Sequence, residues 1–358
     1  MFIVLGPKNS IVIYTPTYHK SLGCQYYLRM LLRTIEENGY KAYLYIDDQE
    51  TLLRTLYAKF AKWSLKEKIT WEFMGRRIAN KILKNITPTS ILLTTDVSAS
   101  AIPFLKIRGI KTILLLVDLT VDWLNIAGKT REKILTILSE YASQADLIVV
   151  PSNNFKEKVY KELGINSIVC PPGLELKVTL EEALSRPFNN ICILHARQIA
   201  HPVEATTINL IASYLATEDK YLLYLLRAGR YYTHVKSAKV RWYYYSSLKS
   251  ALENLKKCHI GLIATPRYAP TFTSYWFYLS LLQPIVAITK SPIENTFSLS
   301  IDEFLKKPNL YVNRVIDEIN LIINDYDKII KNIYSSILSD SIRNRAHSQF
   351  ILYIKNKI

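Results

Sequence analysis

Short apolar runs, four to nine residues long, recur between amphipathic segments from one end of the chain to the other. "SIVIYT", "KAYLYI", "TSILLTTD", "KTILLLVDL", "LIVV" and "SIVC" occupy the first half. "NICILHA", "KYLLYLL", "VRWYYY", "HIGLIATP" and "PIVAIT" occupy the second. A strand that is apolar at every position, and not at every second one, must be covered on both faces. Strands of that kind alternating with helices predict parallel sheets wound on both sides. In such sheets ligands gather beyond the carboxyl ends of the strands.

The stretch "ADLIVVPSNNFKEKVYKELGI" condenses this pattern into 21 residues. A buried strand ends at Pro151-Ser152, a charged helix follows, and Gly164 stops it. Ser152 or Asn154 is available as the helix cap, and Asn154 with Glu157 has capping-box spacing. "PPG" at Pro171–Gly173 is the strongest punctuation in the chain, and the strand–helix pattern restarts after it. With 358 residues, two domains joined near residue 172 are expected. The last helices, from about Asp317 onward, are read as following the final strand, "PIVAIT".

The N-terminal apolar run is too short for a signal peptide and is broken at Gly6-Pro7. No apolar stretch reaches the length of a membrane span. Cys24, Cys170, Cys192 and Cys258 are scattered, without a CxxC pair. Their spacing argues against a zinc site and against a disulfide framework, and for a reducing, cytoplasmic setting. Abundant Ile, Lys, Asn and Tyr with only 10 Gly hint at an AT-rich genome, as of a thermophile or its virus.

The net charge is +16, and residues 54–84 hold nine basic residues against Glu67 and Glu72. There Lys and Arg interleave with Phe60, Trp63, Trp71 and Phe73. A basic, aromatic amphipathic helix suits an anionic membrane surface, with Trp63 and Trp71 at the headgroup boundary and the protein peripheral to the bilayer. It also suits a solvated helix whose lysines snorkel over an ordinary core. Nucleic acid ranks last, because the charge favours any polyanion but no nucleic-acid motif is present.

The run "ADLIVVPSNNFKEKVYKELGINSIVCPPGLEL" resembles the family 4 glycosyltransferases, where the first domain ends in Ala-Asp, a strand, Pro-Ser, a helix with Leu-Gly, a strand and Pro-Pro-Gly. The resemblance implies the GT-B fold: two Rossmann-like doubly wound domains facing a central cleft. It implies an N-terminal acceptor domain over 1–172, a donor domain over 173–340, and a helix over 341–358 returning toward the first. The implied reaction is transfer of a sugar from a nucleotide-sugar donor to a glycan or lipid acceptor, with retention. Neither a metal nor any cofactor is implied beyond the donor.

Carried over by position, Gly23 stands where a helix N-terminus approaches the donor phosphates, although a lone glycine also serves as a turn residue. Arg197 stands where the family's arginine clamps the diphosphate, and His201 takes the place of its lysine. A guanidinium there binds phosphate oxygens bidentately and neutralises leaving-group charge; the other reading is a surface arginine after a strand. The family's two glutamates before the last strand are missing: Ala269 and Phe277 stand in their places, and no Asp or Glu occurs between Glu253 and Glu294. Hydroxyls of Thr271, Thr273 and Ser274 are left to meet a donor, or merely to cap a helix. Asp118, at the end of "KTILLLVD", is the candidate catalytic carboxylate, placed to bind a sugar hydroxyl or to stabilise positive charge at the anomeric carbon. It is equally suited to cap a turn. Loss of the glutamates leaves a second reading open, a non-catalytic GT-B-like protein that binds a polyanion or a partner.

Overall fold

A computed structural model describes residues 10–15, 22–46, 65–85, 90–123, 126–171, 174–196, 199, 201–226, 237, 239–243, 252–253, 255–266, 272–290, 293, 296–338, 350–352 and 354–356. The chain divides into two compact units, Met1–Gly173 with Asn344–Ile358, and Leu174–Arg343.

The first unit holds β1 (Ser10–Thr15), β2 (Lys41–Ile46), β3 (Ser90–Leu93), β4 (Lys111–Leu115), β5 (Leu147–Val150) and β6 (Ile168–Val169). They form one parallel sheet in the order β2-β1-β3-β4-β5-β6. Its helices are α1 (Leu22–Glu37), α2 (Lys68–Asn85), α3 (Ile102–Lys106), α4 (Thr120–Trp123), α5 (Gly128–Ala142) and α6 (Asn153–Leu163). Alternate strand residues reach one face, so Ile11, Ile13, Leu92, Ile113, Leu115, Leu147 and Val149 share a core with α1. Phe350, Ile351 and Ile354 of the C-terminal segment complete that same cluster.

The second unit holds β7 (Ile191–His195), β8 (Tyr221–Leu226), β9 (Val240–Tyr243), β10 (Ile260–Thr265), β11 (Ile285–Thr289) and β12 (Phe297–Ser300). Its sheet is also parallel, in the order β12-β11-β10-β7-β8-β9. Around it lie α7 (Leu180–Leu184), α8 (Pro202–Leu215), α9 (Phe272–Ser280), α10 (Ile301–Lys306), α11 (Pro308–Asn324) and α12 (Tyr326–Leu338).

Three local expectations change. The final strand is β12 and not "PIVAIT", and the helices after it begin at Ile301. β12 reads "FSLS"; two serines on an edge strand dilute the apolar signal that marks the buried ones. The cap of α6 is Ser152, whose hydroxyl accepts from Phe155 N, so Asn154 lies inside the helix and the Asn154/Glu157 box does not form. Cys192 and Cys258 are joined in a disulfide, against the expectation of none. They stand 66 positions apart, but one lies in β7 and the other just before its neighbour β10, a proximity that only strand order creates. Cys170 has a free thiol and is buried, and burial pushes its pKa far up.

The second unit also carries a buried cation. Arg186 is 4% exposed and donates to the carbonyls of Lys256, Leu281 and Leu282 and to the Tyr326 hydroxyl. Leu282 sits at φ 50°, in the left-handed region, where the guanidinium grips its carbonyl and the one before it. His259 packs against Phe188 and Tyr326 and accepts from Cys192 N through Nδ1. Its pKa is pushed down to about 4 by burial, with the Arg186 charge adding to the effect.

Candidate functional site

Each sheet has a point where strand order reverses, and ligands of doubly wound proteins bind beyond the strand ends there. In the second unit the reversal lies between β7 and β10. These strands pair only at Ile193–Ile260 and Leu194–Gly261, then part. Side chains take over the backbone groups released by the parting. Ala196 N donates to the Tyr278 hydroxyl at 2.8 Å, and that hydroxyl lies 2.9 Å from Leu262 O and 3.1 Å from Leu194 O, donating to one at a time. His195 Nδ1 lies 3.1 Å from Leu262 O. Tyr278 comes from α9, fully buried, with its ring flat on β10; a Cβ on Gly261 would stand 2.4 Å from that ring. The glycine is there to admit the ring.

Arg197 follows this split directly in sequence and lies outside the described residues, as do Thr271 and the side chain of Thr273. Ser274 is half-buried in the first turn of α9. Phe277, in a family glutamate's place, is 6% exposed, and Trp276 and Tyr278 beside it are buried too. The residues that replace the acidic loop therefore turn α9 into a core helix.

His201 caps α8. Its Nδ1 accepts from Val203 N at 3.1 Å, while its own backbone N donates to Glu204 Oε2 at 3.1 Å, a reciprocal box. With Nδ1 accepting, the ring proton of the neutral imidazole is on Nε2, which leaves Nε2–H as the donor His201 can offer a ligand. Glu204 is 1% exposed and puts a carboxylate at the start of α8, where the helix dipole favours negative charge. Sequence reasoning overlooked Glu204, although the spacing of His201 and Glu204 was the signal.

In the first unit the reversal lies between β1 and β3. Gly23 is the second residue of α1, and the connection from β1 lies outside the described residues. Beyond β3, Thr94 Oγ1 donates to Tyr14 O, tying the two strand ends together at 3.0 Å. Asp96, 4% exposed, accepts from Val97 N at 2.8 Å, from Thr120 N at 2.5 Å and from Thr120 Oγ1 at 2.6 Å. It fixes the start of α4, and with it the short loop beyond β4 that carries Asp118. Asp118 itself is exposed. One turn on, Asp122 pairs with Arg131 at 2.8 Å and with the buried Lys158, joining α4 to α5 and α6. Sequence reasoning singled out neither Asp96 nor Asp122, because an acid near a strand end looks the same whether it caps or catalyses. Among the described residues no group of three His, Cys, Asp or Glu is placed to hold a metal ion.

Trp71 does not stand at a membrane boundary. It is 1% exposed, stacks on Tyr141 with ring centres 6.0 Å apart, and donates through Nε1 to Leu65 O at 2.7 Å. Its position on the inner stripe of α2 decides this: the apolar stripe of an amphipathic helix faces the core, and here it packs Trp71 against α5. Phe60 and Trp63 lie outside the described residues. No helix among the described residues is long and apolar enough to cross a membrane.

No protein-family model and no curated protein matches the chain in sequence. Solved structures match its fold. The glycotransferase of kitacinnamycin aligns over 96% of this chain and 98% of its own, at TM-score 0.57 and 10% identity. A UDP-glucosyltransferase from Polygonum tinctorium, capable of glucosylating indoxyl, aligns over 97% and 99%, at TM-score 0.52 and 9% identity. S. aureus TarM, solved with Fondaparinux, α-GlcNAc-glycerol and UDP, aligns over 80% of this chain and 58% of its own, at TM-score 0.52 and 9% identity. With two six-stranded parallel sheets flanked by helices, the fold is GT-B.

Proposed function

We propose that this protein is a glycosyltransferase that moves a sugar from a nucleotide-sugar donor to a glycan or lipid acceptor, with retention and without a metal, in the cytoplasm. Within that reading it is a divergent relative of family 4, with its acceptor domain over 1–172, its donor domain over 173–340, and 341–358 as the returning helix. The observation that carries the proposal is the parting of β7 and β10 at the reversal of a sheet ordered as in dinucleotide-binding domains, with Arg197 next in the chain. Arg197 and the Nε2–H of His201 would meet the diphosphate, and the hydroxyls of Thr271, Thr273 and Ser274 the rest of the donor. Gly23 would leave the start of α1 open to the donor phosphates. Asp118, on a loop fixed by Asp96, would stabilise positive charge at the anomeric carbon. The two full-length likenesses are a glycotransferase and a UDP-glucosyltransferase, and the TarM structure contains UDP, which makes UDP-sugars the first donors to try.

The rival reading, a GT-B-like protein without catalysis, is favoured by one observation: α9 is aromatic and buried where the family's acids would stand. A thermal-shift screen of UDP-, GDP-, ADP- and dTDP-sugars separates the two. A transferase is stabilised by at least one donor, since a ligand that binds only the folded state raises its melting temperature. A scaffold without a donor site gains nothing from any of the four.

A further inference from the structure

α11 has an inner and an outer face. Val312, Val315, Ile316, Ile319 and Ile322 are buried and supply the helix's share of the core. On the outer face Leu310 is 54% exposed and Leu321 60%, and Arg314 and Asp317 stand exposed between them. Spacings of four, three and four residues set all four in one row along the helix. That row is its own complement when reversed. Leu310 stands as far before the midpoint as Leu321 stands after it, and Arg314 as far before it as Asp317 after it. Polar neighbours on the flanks are taken up within the chain: Asn320 accepts from the Tyr221 hydroxyl at 2.7 Å, and Tyr311 donates to Glu303 at 3.2 Å. Arg314 lies over the Tyr311 ring, 5.4 Å from its centre, which keeps the guanidinium beside the row.

The ends of the helix point the same way. A helix dipole favours acids at its start and bases at its end. In α11 the order is reversed: Lys307 caps the start and Asp325 the end, both exposed, with no acid in the first turn and no base in the last. An antiparallel neighbour of the same sequence makes this placement favourable, because each Lys307 then lies by the carboxyl end of the other helix and its Asp325. We infer that this face of α11 is a contact surface for a second copy of the chain, packed antiparallel about a two-fold axis. In such an isologous contact every pairing occurs twice. Leu310 of one copy packs on Leu321 of the other, and Arg314 meets Asp317, with the helix axes about 8–10 Å apart. Two acids and two bases, counting the caps, give the face no net charge, which argues against a polyanion or an anionic bilayer as its occupant. The inference uses none of the candidate donor residues, and holds for a transferase or a scaffold alike.

The test is sedimentation velocity of the full-length protein over a wide range of concentration. Wild type should pass reversibly from monomer to dimer as the concentration rises. Leu321→Asp, on an exposed side chain, should keep the wild-type circular dichroism and weaken the dimer on the order of a hundredfold, because the two-fold axis repeats each loss. Arg314→Asp and Asp317→Arg should each weaken it by about tenfold or more, since each sets like charges across the contact. An equimolar mixture of those two variants should restore pairing, as the acidic row of one meets the basic row of the other. A change confined to the folding of either chain could not do that. The inference is overturned if wild type stays monomeric throughout the range, even should another protein bind this face, or if it forms an assembly larger than a dimer. It is equally overturned if the three variants dimerise as wild type does, or if the mixture pairs no better than its components.

Discussion

The two units share an architecture and differ in what holds the strand ends beyond their reversal points. In the first unit the work is done by acids: Asp96 takes three donors at the start of α4, and Asp122 gathers Arg131 and Lys158 one turn later. In the second it is done by a tyrosine hydroxyl and a histidine ring, while a buried guanidinium and a disulfide tie the opposite, amino-terminal side of the strands. The first arrangement leaves charge near the strand ends, where Asp118 stands exposed. Among the described residues the second places no charged side chain at the split itself, so under the proposed reading a diphosphate there takes its opposite charge from Arg197. A unit tied by neutral and covalent links, beside one tied by ion pairs, should also respond differently to reductant, acid and mutation.

Reduction should give the largest difference. The Cys192–Cys258 bond closes a 66-residue interval inside the second unit, and chain entropy assigns such a loop about 4 kcal/mol. Hydrogen exchange with and without reductant should show β7, β10 and α9 losing protection while β1, β3 and β4 keep theirs. Equal loss in both units would break the comparison.

Acid should come next. His259 titrates at about 4 in the folded chain against 6.5 when free. Its folded pKa is depressed, so the unfolded chain takes up its proton first as the pH falls. The stabilisation from the neutral ring is present above pH 6.5 and disappears toward pH 4, by about 3 kcal/mol. Denaturant titrations across this window should show the second unit losing stability, and His259→Gln should flatten that limb. An unchanged limb in the variant would assign the acid sensitivity elsewhere.

Asp96→Ala should weaken the first unit by about 2 kcal/mol, because Thr120 N and Val97 N lose their acceptor in a buried site. Asp96→Asn, which keeps one acceptor oxygen, should cost less. Equal effects would mean that the carboxylate's second oxygen and its charge contribute nothing.

What the sequence made legible follows the same division. β3, β5, β7, β10 and β11 announce themselves as apolar runs, because a parallel strand covered on both faces has no polar position to blur it, and the edge strands β2 and β9 are still legible despite exposed Lys41 and Arg241. β12 does not, being four residues of "FSLS" on an edge. Capping by Ser152 was readable because it is local. The Tyr278–Gly261 contact and the cysteine pair were not, since each joins residues that come together only through strand order. Trp71 departs from expectation for a related reason: a basic surrounding says nothing about which stripe of a helix faces the core. The candidate donor residues came from resemblance, and of the groups most firmly fixed by the fold Asp96 and Tyr278 carry no motif, while Glu204 has only its capping-box spacing from His201.

The central claim is that a nucleotide sugar binds beyond the split of β7 and β10. Calorimetric titration with UDP-sugars and dTDP-sugars, on wild type and Arg197→Ala, tests it most directly. The account predicts a saturable donor for wild type, an affinity loss of about 1.5–3 kcal/mol in the variant, the range for a charged hydrogen bond, and an unliganded melting temperature that does not move. Equal donor affinity in the two proteins, or no binding of any nucleotide sugar to wild type, would contradict it.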